Sequence, residues 1–450
     1  MIVIMKASKA VLSLFQSKQL ISGENAMEYL ETFSDEKYQP VTVDIDLKHS
    51  IYNIVKHKRK TYLIYNTLFN SMITMSDSEY RQYENIKFSD LFLVEALADN
   101  GFIIPEFTDE YQRYEYYQKI LNAQLHSDTH YTLALTSRCN AKCVYCYEEG
   151  VQQVDMSLET VKKITDLLCK SEKPIDITWF GGEPLLKIDY IEYITKKLQE
   201  NNQKFDSGII TNGSLLTEDM IVNKFPEWGI NWIQISLDGM KDEYLRRKCY
   251  CSSRTDIFEN LIFNIECLVK NNISVSIRLN MDSANSEECV HVAEYLKEKF
   301  SDSDNILAYP AFLAGKSYGI DNEERRIFYS QQVYRIYPPS KSLLTDIPKI
   351  NSCYLQQKGA FVIDTDGSIL CCERDIGRQK TKIASVQEID DIDSLKKSVF
   401  PPIREQCKVC AYYPKCLGGC IATHNSSCKY DACFMERYKT EYLLDKIIDF

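Results

Sequence analysis

Cys139, Cys143 and Cys146, in the stretch Arg138-Cys139-Asn140-Ala141-Lys142-Cys143-Val144-Tyr145-Cys146-Tyr147, constrain this chain more than any other feature. They follow the strand-like run Tyr131 to Leu135, so a sheet must deliver a thiol-bearing loop at the end of a strand. Thiolates spaced C-x-x-x-C-x-x-C suit three corners of a [4Fe-4S] cube and leave the fourth iron without a protein ligand. An open corner is where a reactant can bind, as in a catalytic zinc site. For the triad alone, a zinc knuckle or a set of buried thiols is the competing reading.

From about Tyr131 strands and helices alternate. The later strands read Ile175 to Phe180, Ile209 to Thr211, Trp232 to Ser236, Val275 to Leu279 and Ile306 to Tyr309. Helix patterns such as Ser157 to Leu168, capped by Ser157, lie between them. This repetition predicts an α/β fold with a parallel sheet that curls into a partial barrel and carries its working loops at the strand C-termini. Residues 1–125 contain no cysteine and read as a separate α+β module of winged-helix-like outline. Its strands are Thr61 to Tyr65 and Ser71 to Met75, a helix starts at Ser76 and Asp77, and a second helix runs from Ser89 to Asp99. Phe102 to Ile104 then reads as a last strand. Pro338, Pro339 and Pro348 mark a linker, which divides the rest into 126–340 and a Cys-rich segment 341–450. Within the latter, Phe361 to Asp364 and Ser368 to Cys371 flank Thr365-Asp366-Gly367, a hairpin signal.

Seventeen cysteines, none before Cys139 and eight in the last ninety residues, point to metal rather than disulfides in a reducing compartment. The formal charge of −11 leaves no basic excess for a nucleic acid. Lys6 and Lys9 interrupt the first fifteen residues, a poor signal peptide. No uninterrupted apolar run approaches membrane-spanning length. A cytoplasmic protein without a membrane partner is expected. Lys56-His57-Lys58-Arg59-Lys60 reads as a solvated turn, with an acidic peptide as the alternative contact. His126 and His130 read as part of a linker helix.

Gly181-Gly182-Glu183-Pro184 follows a strand. Its glycines let backbone groups approach a ligand closely, and Glu183 offers an acceptor for an ammonium. Thr211-Asn212-Gly213 and Ser236-Leu237-Asp238-Gly239 end the next two strands, where hydroxyls and carboxylates can hold a ribose or a carboxylate. Near the end, Cys407, Cys410, Cys416 and Cys420 fit C-x(2)-C-x(5)-C-x(3)-C, with Cys353, Gly367 and Cys372 before them and Cys433 after. A zinc ribbon is the other reading of Cys407 and Cys410 alone.

Taken together, these motifs resemble the radical SAM enzymes with a SPASM extension. The resemblance implies a partial (β/α)6 TIM-like barrel in which Cys139, Cys143 and Cys146 hold a [4Fe-4S] cluster whose open iron chelates S-adenosylmethionine. It implies further cofactor contacts from Tyr145 (against the adenine), Gly181, Gly182 and Glu183 (the methionyl amino group), Ser236, Arg278 and Asn280. An arginine after S-L-D-G belongs to the same set; Arg246 is the candidate and Arg247 its competitor. Two auxiliary [4Fe-4S] clusters are implied, one on Cys407, Cys410, Cys416 and Cys433, the other on Cys353, Cys372 and Cys420. The second keeps an open iron unless Cys371 or Cys428 closes it.

SPASM relatives act mainly on peptides, and maturases of ribosomally made peptides often begin with a small winged-helix element that docks a leader by adding a strand to a sheet edge. The expectation is a peptide maturase that forms Cys thioether crosslinks on a precursor peptide with a leader, fed electrons by a flavodoxin or ferredoxin. A C–C crosslinking maturase, an anaerobic sulfatase-maturating enzyme and a non-catalytic zinc-binding interaction protein are the alternatives. No general base is assigned.

Overall fold

The computed structural model describes residues 4–5, 46–89, 91–125, 129–252, 254–313, 331–332, 335–336, 359–395, 404–419 and 433–449. Six strands run parallel in consecutive order: β7 (Thr129–Thr136), β8 (Ile175–Gly181), β9 (Phe205–Thr211), β10 (Ile230–Ser236), β11 (Ser274–Met281) and β12 (Ile306–Phe312). Helices between them cross from strand to strand. The six-stranded parallel topology is that of an open (β/α)6 barrel, as the alternation of sequence patterns predicts. Ser157 caps the first of these helices, Leu158–Cys169, by accepting the Thr160 amide at 3.1 Å. Its buried residues Val161, Ile164 and Leu168 recur at helical spacing.

The sheet continues beyond β7. Strand β13 (Ala360–Ile363) pairs parallel with β7, and the expected hairpin turns it into β14 (Ser368–Leu370), which pairs with β15 (Lys382–Ser385). Val362, Leu370 and Ile376 pack with Ala134 and Phe180 in one apolar cluster. Residues 122–322 and 353–400 form one compact unit; residues 1–121, 323–352 and 401–450 form the other.

In the second unit, β3 (Asn53–Lys58), β4 (Thr61–Asn66) and β5 (Ser71–Ser76) form an antiparallel meander, with β1 (Ile4–Met5) beyond β5. A two-stranded sheet pairs β2 (Leu47–His49) with β6 (Ile103–Pro105). Alternation along the strands serves both faces of the meander. Ile64, Ile73 and Met75 face helices α1 (Asp77–Asn85) and α2 (Leu91–Asp99) through Tyr83, Leu93, Val94 and Leu97. Leu63, Tyr65 and Met72 meet Leu443 and Leu444 of the last helix, Cys433–Ile448. Helix α1 begins as its sequence demands: Ser76 and Glu79 form a reciprocal capping box. Of the run Lys56 to Lys60, Arg59 and Lys60 form the exposed turn expected, while Lys56 and Lys58 do not. They lie on β3 and pair with Asp445 (2.9 Å) and Asp449 of that last helix. His130 is on β7, and His126 is outside the described residues.

Candidate functional site

The cysteine loop leaves β7 and is pinned on two sides. The amides of Lys142 and Val144 donate to the carbonyls of Lys248 and Arg247 at 3.1 and 3.0 Å, and the Cys251 amide donates to Asn140 at 2.9 Å. On the other side the Gly182 and Glu183 amides donate to the carbonyls of Thr136 and Arg138 at 2.9 and 3.0 Å. Only glycine allows that approach. A Cβ on Gly181, where φ is +129°, would lie 2.1 Å from the Thr136 carbonyl oxygen, and one on Gly182 would lie 2.4 Å from that of Arg138.

Cys139 and Cys143 are half-buried, and Lys248 is the cation whose charge acts on Cys143. Burial pushes the Cys139 thiol up to about 12 and raises those of Cys143 and Cys146 as well. The Ala141 amide, at 3.4 Å, and the Asn212 side-chain amide, at 3.9 Å, both point at the Cys139 sulfur. Among the described residues no three Cys, His, Asp or Glu side chains converge as around a single ion. A cube gives each thiolate its own iron, so it does not require that convergence. This donor set fits the cluster.

Glu183 is fully buried, and burial raises its carboxyl above the usual range. Its oxygens accept from the Thr211 hydroxyl (2.7 Å) and the amides of Asn212 (2.9 Å) and Leu185 (3.1 Å). The carboxylate thus ties the end of β9 to the glycine turn.

The remaining predicted residues converge on Tyr145. Its hydroxyl donates to Asp238 and accepts from Lys248 Nζ at 2.8 Å and Asn280 Nδ2 at 3.2 Å. Lys248 also reaches Ser236 Oγ (2.7 Å) and Asp238 Oδ2 (3.2 Å), and Asn280 reaches Asp238 Oδ1 (3.1 Å). Arg278 Nε donates to Asn280 at 3.0 Å. Tyr145, Ser236, Arg278 and Asn280 are therefore neighbours at the C-terminal ends of β10 and β11, beside the cysteine loop.

Arg246 is a correction. Its side chain is 59% exposed and forks onto Glu243, away from this cluster. The competitor, Arg247, is 2% exposed, pairs with Asp282 at 2.7 Å and lies over the Tyr145 ring at 5.3 Å. The buried residues of helix Lys241–Lys248 are Tyr244, Arg247 and Lys248. These are i, i+3 and i+4, so position 246 faces outward. Lys248, which no motif singled out, and Asp238 of the S-L-D-G run form a buried ion pair of the site. Helical spacing counted from Tyr244 carried the signal for Lys248.

The C-terminal cysteines fall in both units. Cys372 is half-buried and Cys371 buried, in the unit of the barrel. Cys372 is extended, with φ −148° and ψ 134°, and successive extended residues point to opposite sides. Cys407, Cys410 and Cys416 lie in the other unit, and the thirteen cysteines whose side chains are described form no disulfide. Cys353, Cys420 and Cys428 are outside the described residues, and Cys433 opens the last helix.

The family described as the radical SAM superfamily matches residues 133–296. An uncharacterized protein of Methanocaldococcus jannaschii is 37% identical over 114 residues, 25% of this chain and 39% of that protein. The radical SAM cyclopropyl synthase TigE of Paramaledivibacter caminithermalis is 24% identical over 250 residues, 50% of this chain and 51% of that enzyme. The chain thus spans between two fifths and about half the length of these relatives. Among solved structures, native anSMEcpe with bound AdoMet and Kp18Cys peptide superposes with a TM-score of 0.58 at 19% identity, covering 72% of this chain and 98% of that one. That likeness establishes the fold, and leaves more than a quarter of this chain without a counterpart. The family match runs from β7 through β11 and takes in the three-cysteine loop, which marks residues 133–296 as a radical SAM-type domain.

Proposed function

We propose that this chain is a cytoplasmic radical SAM maturase of a ribosomally made precursor peptide, forming thioether crosslinks from Cys sulfur to carbon. The observation that carries the radical step is the convergence of the three-thiol loop, the glycine turn and the Tyr145, Asp238 and Lys248 network at adjacent strand ends. When bound, the cluster and S-adenosylmethionine supply a 5′-deoxyadenosyl radical, and the protein's part is to orient the cofactor and exclude water. Cys139, Cys143 and Cys146 would hold the cluster. Tyr145 and the polar ends of β10 and β11 would hold the nucleoside end. Lys248 and Arg247 are the buried cations nearest that network. Arg247 Nε, buried and without a hydrogen-bond partner among the described residues, suits a carboxylate.

A peptide substrate is supported by the module built on β3, β4 and β5. Among the described residues no strand pairs with its edge strand β3 on the side away from β4, the kind of edge to which a peptide adds a strand. TigE is a relative and anSMEcpe was solved with a peptide. Cys407, Cys410, Cys416 and Cys433 would hold one auxiliary cluster, and Cys353, Cys372 and Cys420 another. The auxiliary clusters would take electrons from the substrate or hold its thiolate, while a flavodoxin or ferredoxin feeds the first. Among the described residues no helix is long and apolar enough to cross a membrane. Co-expression with the precursor peptide of the same gene neighbourhood tests the proposal. Mass spectrometry should show the loss of two hydrogens per crosslink. An unmodified peptide under reducing, anaerobic conditions, with the cofactor consumed, would reject the substrate class.

A further inference from the structure

Cys407 and Cys410 are packed among the aromatic rings of the N-terminal elements. Tyr52 enters from the turn before β3, Tyr114 from the helix Glu110–Leu125, and Tyr413 from the cysteine segment itself; they form one cluster with Cys407, against which Tyr111 and Cys410 also pack. The rings meet edge-on: Tyr52 and Tyr114 are 6.1 Å apart by centroid, and Tyr114 and Tyr413 are 5.7 Å apart. Tyr111 lies 5.7 Å from Tyr413.

Three of these hydroxyls have company: Tyr114 donates to the Pro414 carbonyl at 3.4 Å, and Tyr111 and Tyr413 are neighbours. Tyr52 does not. It is fully buried, and its hydroxyl has no hydrogen-bond partner among the described residues. Leaving such a group unsatisfied costs about 1–3 kcal/mol, so the site is built around an acceptor. Cys407 and Cys410 pack in the same cluster as the Tyr52 ring, and an iron-sulfur cluster held by them would present sulfide and thiolate sulfurs, which are acceptors.

We propose that Tyr52 Oη is a positioning and tuning donor to a sulfur of the auxiliary cluster held by Cys407, Cys410 and Cys416, so that the N-terminal module sets that cluster's reduction potential. The inference rests on reading these cysteines as cluster ligands. A hydrogen bond to a cluster sulfur favours the reduced, more negative state and so raises the potential.

The test is a redox titration of the anaerobically reconstituted full chain, followed by EPR. Tyr52→Phe should retain its iron and shift the auxiliary midpoint to more negative values. A ring-fluorinated tyrosine at position 52, a stronger donor, should shift it the other way. Tyr131→Phe, which removes a second buried hydroxyl without a partner among the described residues in the other unit, should leave it in place. Unchanged potentials in both Tyr52 variants, with iron retained, would overturn the inference. The underlying reading has its own test. Cys407→Ser/Cys410→Ser should lose about four irons per chain, and full iron retention in that variant would reject the cluster itself.

Discussion

Lys248→Met isolates the interaction that binds the cysteine loop to the sheet. Lys248 Nζ lies 3.2 Å from Asp238 Oδ2, and both side chains are essentially buried. At that separation the attraction is about 5 kcal/mol for an effective dielectric of ~20. Removing Lys248 also returns its own desolvation penalty. The net cost of stranding a buried charge is therefore about 3–5 kcal/mol. Asp238 would retain only the Tyr145 hydroxyl and Asn280 amide as donors. Asp238→Asn in the same chain removes the stranded charge, so the double variant should be more stable than the sum of the two single losses by about 1–3 kcal/mol. All three tryptophans, Trp179, Trp228 and Trp232, lie in the barrel unit. Urea unfolding followed by their fluorescence reports that unit, with the midpoint moving at constant slope. Losses that add within about 0.5 kcal/mol would refute a paired Lys248 and Asp238.

Gly182→Ala should displace the cysteine loop, because its Cβ meets the carbonyl oxygens of Arg138 and Ser137; bound iron should fall while the helical circular dichroism persists. Arg246→Ala should change S-adenosylmethionine affinity by less than twofold, since an exposed pair with Glu243 is worth about 0–1 kcal/mol. Arg247→Ala, by stranding Asp282, should destabilise the barrel by about 3–5 kcal/mol, and both are read by calorimetry. Burial raises the Glu110 carboxyl above its ordinary value of 4.5. The folded chain therefore holds that proton more tightly than the unfolded one. The stability this gives is complete below pH 4.5 and declines as pH rises through the folded value. Glu110→Gln should flatten that slope in unfolding curves of the full chain taken across the interval.

The strands that carry the site were legible because their apolar runs give way to glycine or hydroxyl residues where the sheet stops, at Thr136, Gly181, Thr211 and Ser236. Ser157 and Ser76 announced their helices through local hydrogen bonds that sequence alone contains. Choosing between Arg246 and Arg247 needed the register of one helix turn, and a spacing counted from S-L-D-G does not supply it. The charged run at Lys56 hid β3, because its acidic partners, Asp445 and Asp449, are nearly four hundred residues away. Tyr52 was equally opaque: a tyrosine before a strand says nothing until Cys407 is packed against its ring.

The account rests most directly on the iron site formed by Cys139, Cys143 and Cys146. EPR of reduced, oxygen-free protein should show a cubane signal that changes when S-adenosylmethionine is added and is absent from the Cys139→Ala/Cys143→Ala/Cys146→Ala variant. Colourless protein carrying zinc without sulfide, or a cubane signal indifferent to the sulfonium compound, would contradict it.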